Sequence, residues 1–360
     1  MNTFSCNTKI ISGPGAVDAL GELGAKRLFL VTDPFFAQNG TAQRIAGKAR
    51  AQEVSVFDGV KPDPEVKLAA EGTKCLREFA PDVIVALGGG SAMDCAKAMR
   101  YFSGVEATFV AIPTTSGSGS EVTDFAILTH ERVKHPLVDP RLRPDIAILD
   151  SELLTDLPRG LIADAGFDVL THAVEAYVAA DASPITDALA RDAFCTAFAM
   201  LPASFSGNRD ARLPIHTAAT MAGMAFTQAG LGLCHAMSHS LGGMFHVSHG
   251  KLNAVLLPAV ISCNAPACGE RYARLARAAG LGGSADAMAL RSLKNGLIRL
   301  RRDLKLPATL AEAGIRPRDV WRATEQIVAA ALKDPCCAAN PMKIEDFMLR
   351  RILEEVTGRE

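Results

Sequence analysis

The 360-residue chain contains no uninterrupted apolar run of about 18 residues, so no membrane-spanning helix is predicted. It also lacks a surplus of either charge: 38 Lys plus Arg stand against 39 Asp plus Glu, a formal net charge of −1. A balance this even supplies no electrostatic reason to bind nucleic acid or an anionic membrane surface. The nine cysteines show neither CxxC nor zinc-ribbon spacing. An odd, scattered count points to reduced thiols in a cytosol and away from a disulfide framework. The opening MNTFSCNTKIISGPG has no basic stretch leading into an apolar one, so a cytoplasmic protein without a standard export signal is expected. Finally, the first strand-to-helix turn lacks GxGxxG, which removes the ordinary dinucleotide-binding fingerprint.

What the chain does have is two textures. Up to about Asp150, short β-rich runs alternate with helical ones, the mark of an α/β layer built on a parallel sheet. Strands are predicted at Arg27 to Thr32, Asp82 to Leu87, Thr108 to Ile112 and Ile146 to Leu149. Beyond Leu157 and Pro158 the β-branched runs give way to Ala-rich segments with helical spacing, such as Ala163 to Val178 and Asp187 to Leu201. The length is more than one ordinary core supports. Two domains are expected: residues 1–155 as an α/β dinucleotide-binding domain with a parallel sheet, and 156–360 as an all-helical metal-binding and catalytic domain.

Two loops in the first part carry phosphate-binding chemistry. DVIVAL runs into Gly88, Gly89, Gly90 and Ser91 and then a helical stretch. Glycines let a ligand approach the backbone, and a helix N-terminus offers free N–H groups to a pyrophosphate. The plainer alternative is a turn in which Ser91 caps the helix and Asp94 closes a capping box. TFVAI ends in Pro113, Thr114, Thr115, Ser116, Gly117, Ser118, Gly119 and Ser120, a dense set of hydroxyls. At the end of the first predicted strand, Asp33 is placed to accept from ribose hydroxyls and to repel a 2′-phosphate, which favours NAD over NADP.

The histidines are unevenly spread. There are eight in 360 residues, yet His235, His239, His246 and His249 fall within LGLCHAMSHSLGGMFHVSHG. His235 and His239 stand at i, i+4 on a helical stretch that the pair Gly242 and Gly243 is expected to break. Asp168 and His172 also stand at i, i+4, with His172 on an apolar stripe, close enough for both to reach one cation. One Asp and several His form an N/O donor set suited to Fe²⁺ or Zn²⁺ and too nitrogen-rich for Mg²⁺ or Ca²⁺. These six residues exceed four-coordination, so at least two are not ligands.

GGGSAMDCAK (88–97), PTTSGSGSEVT (113–123), GFDVLTHAVEAY (166–177) and GLCHAMSHSLGGMFHVSHG, in this order, resemble the iron-containing, group III alcohol dehydrogenases over essentially the whole chain. The resemblance implies the dehydroquinate synthase-like fold of that family and an NAD-dependent oxidoreductase acting on alcohols. It assigns the metal, Fe²⁺ with Zn²⁺ as the alternative, to Asp168, His172, His235 and His249. His239 becomes the catalytic non-ligand, suited to relay the alcohol proton, and His246 has no implied role. It places Asp33, Gly89, Gly90, Ser91, Thr114, Thr115, Ser118 and Lys134 at the NAD site, and Phe125, Ile127, Phe226 and Cys336 around a small aldehyde or alcohol substrate.

Two departures stand out: the usual Pro-Asn-Pro reads Pro62-Asp63-Pro64, and Asn-Pro-Arg reads Asn340-Pro341-Met342. The first puts Asp63 in question as a cofactor contact. Within the family, MNTFS, SGPGA and HSLGGMFHVSHG resemble the propanol dehydrogenase branch of propanediol-utilising bacteria. That implies propionaldehyde reduction to regenerate NAD, a homodimer, and a place in a bacterial microcompartment beside shell or lumen enzymes. An ethanolamine-pathway ethanol dehydrogenase, a lactaldehyde or butanol reductase and, more remotely, a metal-dependent dehydroquinate synthase-type lyase are the competing readings.

Overall fold

The computed structural model describes residues 3–131 and 133–359. The chain divides into two compact units, Ser5–Leu157 and Pro158 onward. The first is α/β and the second all-helical, the fold class that the sequence predicts.

In the first unit the strands are β1 (Lys9–Ser12), β2 (Arg27–Val31), β3 (Glu53–Phe57), β4 (Val83–Gly88), β5 (Thr108–Pro113), β6 (Phe125–His130), β7 (Val133–Val138) and β8 (Ile146–Leu149). Six of them form one sheet in the order β1-β8-β5-β4-β2-β3, parallel at every pairing. β6 and β7 pair antiparallel as a separate hairpin. Helices α1 (Pro34–Gln38), α2 (Thr41–Lys48), α3 (Val66–Phe79) and α4 (Gly90–Ser103) connect the strands. The central strands read as continuous apolar runs because both faces are covered. Leu28 and Leu30 pack with Val17, Leu20 and Ile45 on one face. Phe29 and Val31 pack with Leu76, Met93 and Met99 on the other.

The strand order places the site of this unit. From β2 the chain moves out to edge strand β3, returns to lie on the other side of β2 as β4, and continues away through β5. The connections leaving β2 and β4 therefore diverge, and the crevice at the carboxyl ends of such a pair is where open α/β sheets bind ligands.

The second unit comprises α5 (Arg159–Val178), α6 (Pro184–Phe205), α7 (Arg212–Ala229), α8 (Leu233–Phe245), α9 (His249–Ala278), α10 (Asp286–Asp303), α11 (Pro317–Lys333) and α12 (Asp346–Val356). Ser183 caps α6 through a reciprocal box with Thr186, and Pro184 occupies its first position. Every residue of α5 from Gly166 to Val178 is buried, its polar residues included. α9 is the one helix among the described residues long and apolar enough to cross a membrane, but 67% of its most apolar window is buried inside the fold. It is a core helix of this unit.

Candidate active site

Helices α5, α8 and the start of α9 bring the expected metal residues together. Around Asp168 Oδ1 lie His235 Nε2 at 3.7 Å, His249 Nε2 at 3.8 Å and His172 Nε2 at 4.0 Å. Donors about 2.1 Å from one tetrahedral centre stand about 3.4 Å apart, so the spacing of Asp168, His235 and His249 fits a single cation with modest closing, whereas His172 stands outside that mutually close set and approaches it through Asp168. Asp168, His235 and His249 offer one donor atom each, all within 4.8 Å of one another. One carboxylate and three imidazoles suit Fe²⁺ or Zn²⁺. Gly250 explains how His249 reaches this point: a Cβ there would lie 2.0 Å from the Asp164 backbone oxygen, so only glycine lets the first turn of α9 approach α5 this closely. His249, with its side chain 30% exposed against 1% for His235, is the donor that faces solvent.

Two residues with no assignment in the sequence reading hold the donors in place. Glu175 Oε2 lies 2.6 Å from His235 Nδ1, and its carboxylate also accepts from the amides of Gly232 at 3.0 Å and Cys234 at 2.6 Å. This fixes the His235 tautomer with Nε2 free to ligate, the carboxylate–histidine arrangement of metal sites. Its signal was present, because Asp168, His172 and Glu175 stand at i, i+4, i+7 on one helical stripe. Asn253, four residues after His249, donates to Asp168 Oδ1 at 2.7 Å and accepts from Ser238 at 2.5 Å.

Electrostatically, the cluster is strongly coupled. Burial disfavours a charged His235, yet Asp168 and Glu175 outweigh it and lift the imidazole to about 9. Burial likewise opposes an ionised Asp168, but the three imidazoles hold it well below the usual carboxylate range. A cation taking these atoms therefore displaces protons, and its binding strengthens as pH rises.

His239 lies outside the donor set, its ring 6.1 Å from that of His235 and 5.1 Å from that of His249. Its Nδ1 is 2.8 Å from Asp334 Oδ2. Phe226 stacks on His172 at 4.5 Å and the Cys336 thiol lies within 4.8 Å of donor atoms of His239 and Asp334, giving the site a weakly polar wall. The expected helix break at Gly242 and Gly243 does not occur. α8 runs through both and ends at Phe245, with His246 in the left-handed region (φ 55°) donating its amide to Gly242. His246 is thus an exposed helix C-cap. Asn340 is buried beside the same cluster of helices, accepting from the Leu233 amide and pairing with Asn264.

In the first unit the two predicted loops meet. β4 and β5 run side by side to Gly88 and Pro113. A Cβ at Gly89 would lie 3.3 Å from Thr115 Oγ1, and one at Gly90 3.3 Å from Ser118. Thr114 is buried and donates its amide to the Gly88 carbonyl. Ser91 does not cap the helix: α4 starts at Gly90 with Gly89 as N-cap and no side-chain cap, so its end stays open to an anion. Asp94 is occupied elsewhere, accepting from Ser120 Oγ and the Ile127 amide. Nearby, the fully buried Lys97 ammonium donates to Ser120, Thr123 and the Phe125 carbonyl. These two residues pin the hydroxyl loop and β6, which carries Phe125 and Ile127, to α4.

Asp33 caps α1 through Oδ1, accepting from Phe35 and Phe36. Its Oδ2 lies 3.7 Å from where a Gly88 Cβ would stand. Asp33 thus forms the turn into α1 and still presents a carboxylate oxygen to the crevice between β2 and β4. Lys134 lies on β7, its ammonium 2.8 Å from the Asp63 carboxylate. The substituted Pro-Asp-Pro loop thus contacts the lysine that the sequence expectation assigns to the cofactor site.

Comparison with known proteins agrees with this geometry. The pattern described as iron-containing alcohol dehydrogenase matches residues 7–151. That described as the Fe-containing alcohol dehydrogenase family, C-terminal, matches 162–357. The chain is 40% identical to the 1-propanol dehydrogenase PduQ of Citrobacter freundii, covering 99% of this chain and 100% of that one. It is 37% identical to the NADPH-dependent butanol dehydrogenase of Clostridium saccharobutylicum, covering 98% and 97%. A solved 1,3-propanediol oxidoreductase superposes with a TM-score of 0.93 at 33% identity, covering 99% of each chain. The chain therefore belongs to the iron-containing alcohol dehydrogenase family and is an oxidoreductase.

Proposed function

We propose that the chain interconverts short unbranched aldehydes and primary alcohols with NAD(H), with propionaldehyde reduction to 1-propanol as its main direction. The observation that carries this is the cluster of Asp168 with three imidazole Nε2 atoms, flanked by His239 and walled by Phe226 and Cys336. When bound, the divalent cation supplies Lewis acidity at the substrate oxygen and the nicotinamide supplies or takes the hydride. Asp168, His172, His235 and His249 hold the cation, and His239 takes up or returns the alcohol proton. Gly89, Gly90, Ser91, Thr114, Thr115 and Ser118 cradle the pyrophosphate, with Lys134 nearby. The weakly polar wall favours a short alkyl chain over a polyol.

What supports NAD(H) over NADP(H) in this reading is Asp33, held by two backbone amides just past the end of β2, a position from which a carboxylate accepts from ribose hydroxyls and repels a 2′-phosphate. A homodimer and a place inside a bacterial microcompartment belong to the same proposal, on the strength of the sequence resemblance.

The test is anaerobic purification with added Fe²⁺, followed by NADH and NADPH consumption with propionaldehyde, acetaldehyde, lactaldehyde and butyraldehyde. Propionaldehyde with NADH is expected to give the highest kcat/KM, and one methylene more or less to cost roughly 10-fold. No turnover of any of the four with either coenzyme overturns the reading. A preference for NADPH removes only the Asp33 argument.

A further inference from the structure

His239 is held by a residue 95 positions further along the chain, at the junction of α11 with the short turn Pro335–Ala339. Asp334 Oδ2 lies 2.8 Å from His239 Nδ1. Its other oxygen, Oδ1, accepts from the Cys336 amide at 2.9 Å and caps that turn. The backbone thus orients the carboxylate, and the carboxylate orients the ring. Burial opposes the ionised form, but hydrogen bonding and charge from His239 together with the Cys336 amide hold Asp334 down at about 2. An ionised carboxylate only accepts, so a neutral His239 carries its hydrogen on Nδ1 and leaves Nε2 with a free lone pair.

We propose that Asp334 is the positioning residue of His239, fixing both the ring orientation and the Nδ1–H tautomer so that Nε2 exchanges the alcohol proton. The inference rests on the reading of His239 as the proton relay and adds what makes it competent. In alcohol oxidation the hydroxyl O–H bond breaks as an Nε2–H bond forms, while the carbon gives its hydride to oxidised nicotinamide. In aldehyde reduction the Nε2 proton returns to the oxygen. With the opposite tautomer Nε2 already carries hydrogen and cannot accept in the first direction.

The cap dictates what an amide would do at this position. In Asp334→Asn, Oδ1 keeps the Cys336 amide, which turns Nδ2 toward His239. Nδ2 only donates, so Nδ1 has to become the acceptor and the hydrogen moves to Nε2. The experiment uses ¹⁵N-histidine-labelled, zinc-loaded protein, with NMR reading the tautomer, alongside kinetics and metal analysis of the iron-loaded enzyme. Expected are Nδ1–H for His239 in the wild type and Nε2–H in Asp334→Asn. The kcat of that variant should fall about 10- to 100-fold, with the aldehyde KM within about twofold and iron content unchanged. Asp334→Glu, which restores an acceptor, should recover the wild-type tautomer and part of kcat.

Nε2–H in the wild type, an unchanged tautomer in Asp334→Asn, or a loss of kcat matched by loss of iron overturns the proposal. If the wild type turns over no aldehyde, the dehydrogenase reading fails by itself, and the tautomer measurement still decides whether Asp334 sets the state of His239.

Discussion

The crevice of the α/β unit and the cluster of the helical unit are built from opposite materials. The crevice is made of backbone, glycine and hydroxyls: Gly88 to Gly90, Thr114, Thr115 and Ser118, with the Asp33 carboxylate just past the end of β2. The cluster is made of side chains, in which Asp168 and three imidazoles converge from three helices, with Glu175 and Asn253 holding two of them and Asp334 holding the neighbouring His239. A site made of backbone survives the loss of single side chains but not a change of chain path. One made of side chains has the reverse sensitivity.

The largest expected effect is therefore in the cluster. His235→Ala should abolish stoichiometric iron and lower activity on the order of a thousandfold or more, while circular dichroism and NADH binding stay near wild type. Retained iron with full activity would break the contrast. Glu175→Gln comes next: it keeps the size of the side chain but weakens the acceptor for His235 Nδ1, and losses of such partners cost about 10- to 100-fold in metal affinity. Competition against a chelator measures this, and an unchanged affinity would reduce Glu175 to a packing role.

On the other side, Gly88→Ala should act through the backbone. Gly88 has φ 148°, and a Cβ there would lie 2.7 Å from that of Ala92. A loss of about 1–2 kcal/mol in stability, with weaker NADH binding and unchanged iron content, is expected from denaturant titration and fluorescence. Iron loss in this variant would show that the two regions are not separable in this way.

The smallest effect is a pH dependence beneath the crevice. Burial lowers Lys97 from 10.5 to about 8. Between those values the unfolded chain binds more protons than the folded one, so this residue's destabilising contribution, fully present below about 8, is relieved as pH rises. From pH 7 to 9 the wild type should gain about 1 kcal/mol relative to Lys97→Met. Parallel pH–stability curves for the two proteins would contradict it.

The same division governs what could be read in advance. The buried central strands, β2, β4, β5 and β8, are legible as apolar runs because both faces are covered. Edge strands β1 and β3, with mixed exposure, carry no such signal and were not predicted. The β6–β7 hairpin was missed as well, since it lies outside the main sheet. The helical spacing and glycine contexts of Asp168, His172, His235, His239, His246 and His249 are local and expose the metal chemistry, but it is the family resemblance that narrows these six to Asp168, His172, His235 and His249. Glu175 was within reach of the same stripe argument. Asp334 was not, because nothing near residue 334 indicates that the fold brings it to residue 239. Gly242 and Gly243 misled for a related reason: burial of α8 outweighs the roughly 1 kcal/mol by which each glycine disfavours a helix.

The central claim is that one cation, held by Asp168, His172, His235 and His249, is required for aldehyde reduction. Anaerobic titration of metal-stripped protein with Fe²⁺, with bound iron and NADH-dependent propionaldehyde reduction followed in the same samples, tests it most directly. Activity rising in proportion to bound iron and reaching its plateau at one iron per chain is the predicted result. Full activity in the stripped protein, or a plateau in bound iron with no propionaldehyde reduced, would contradict it.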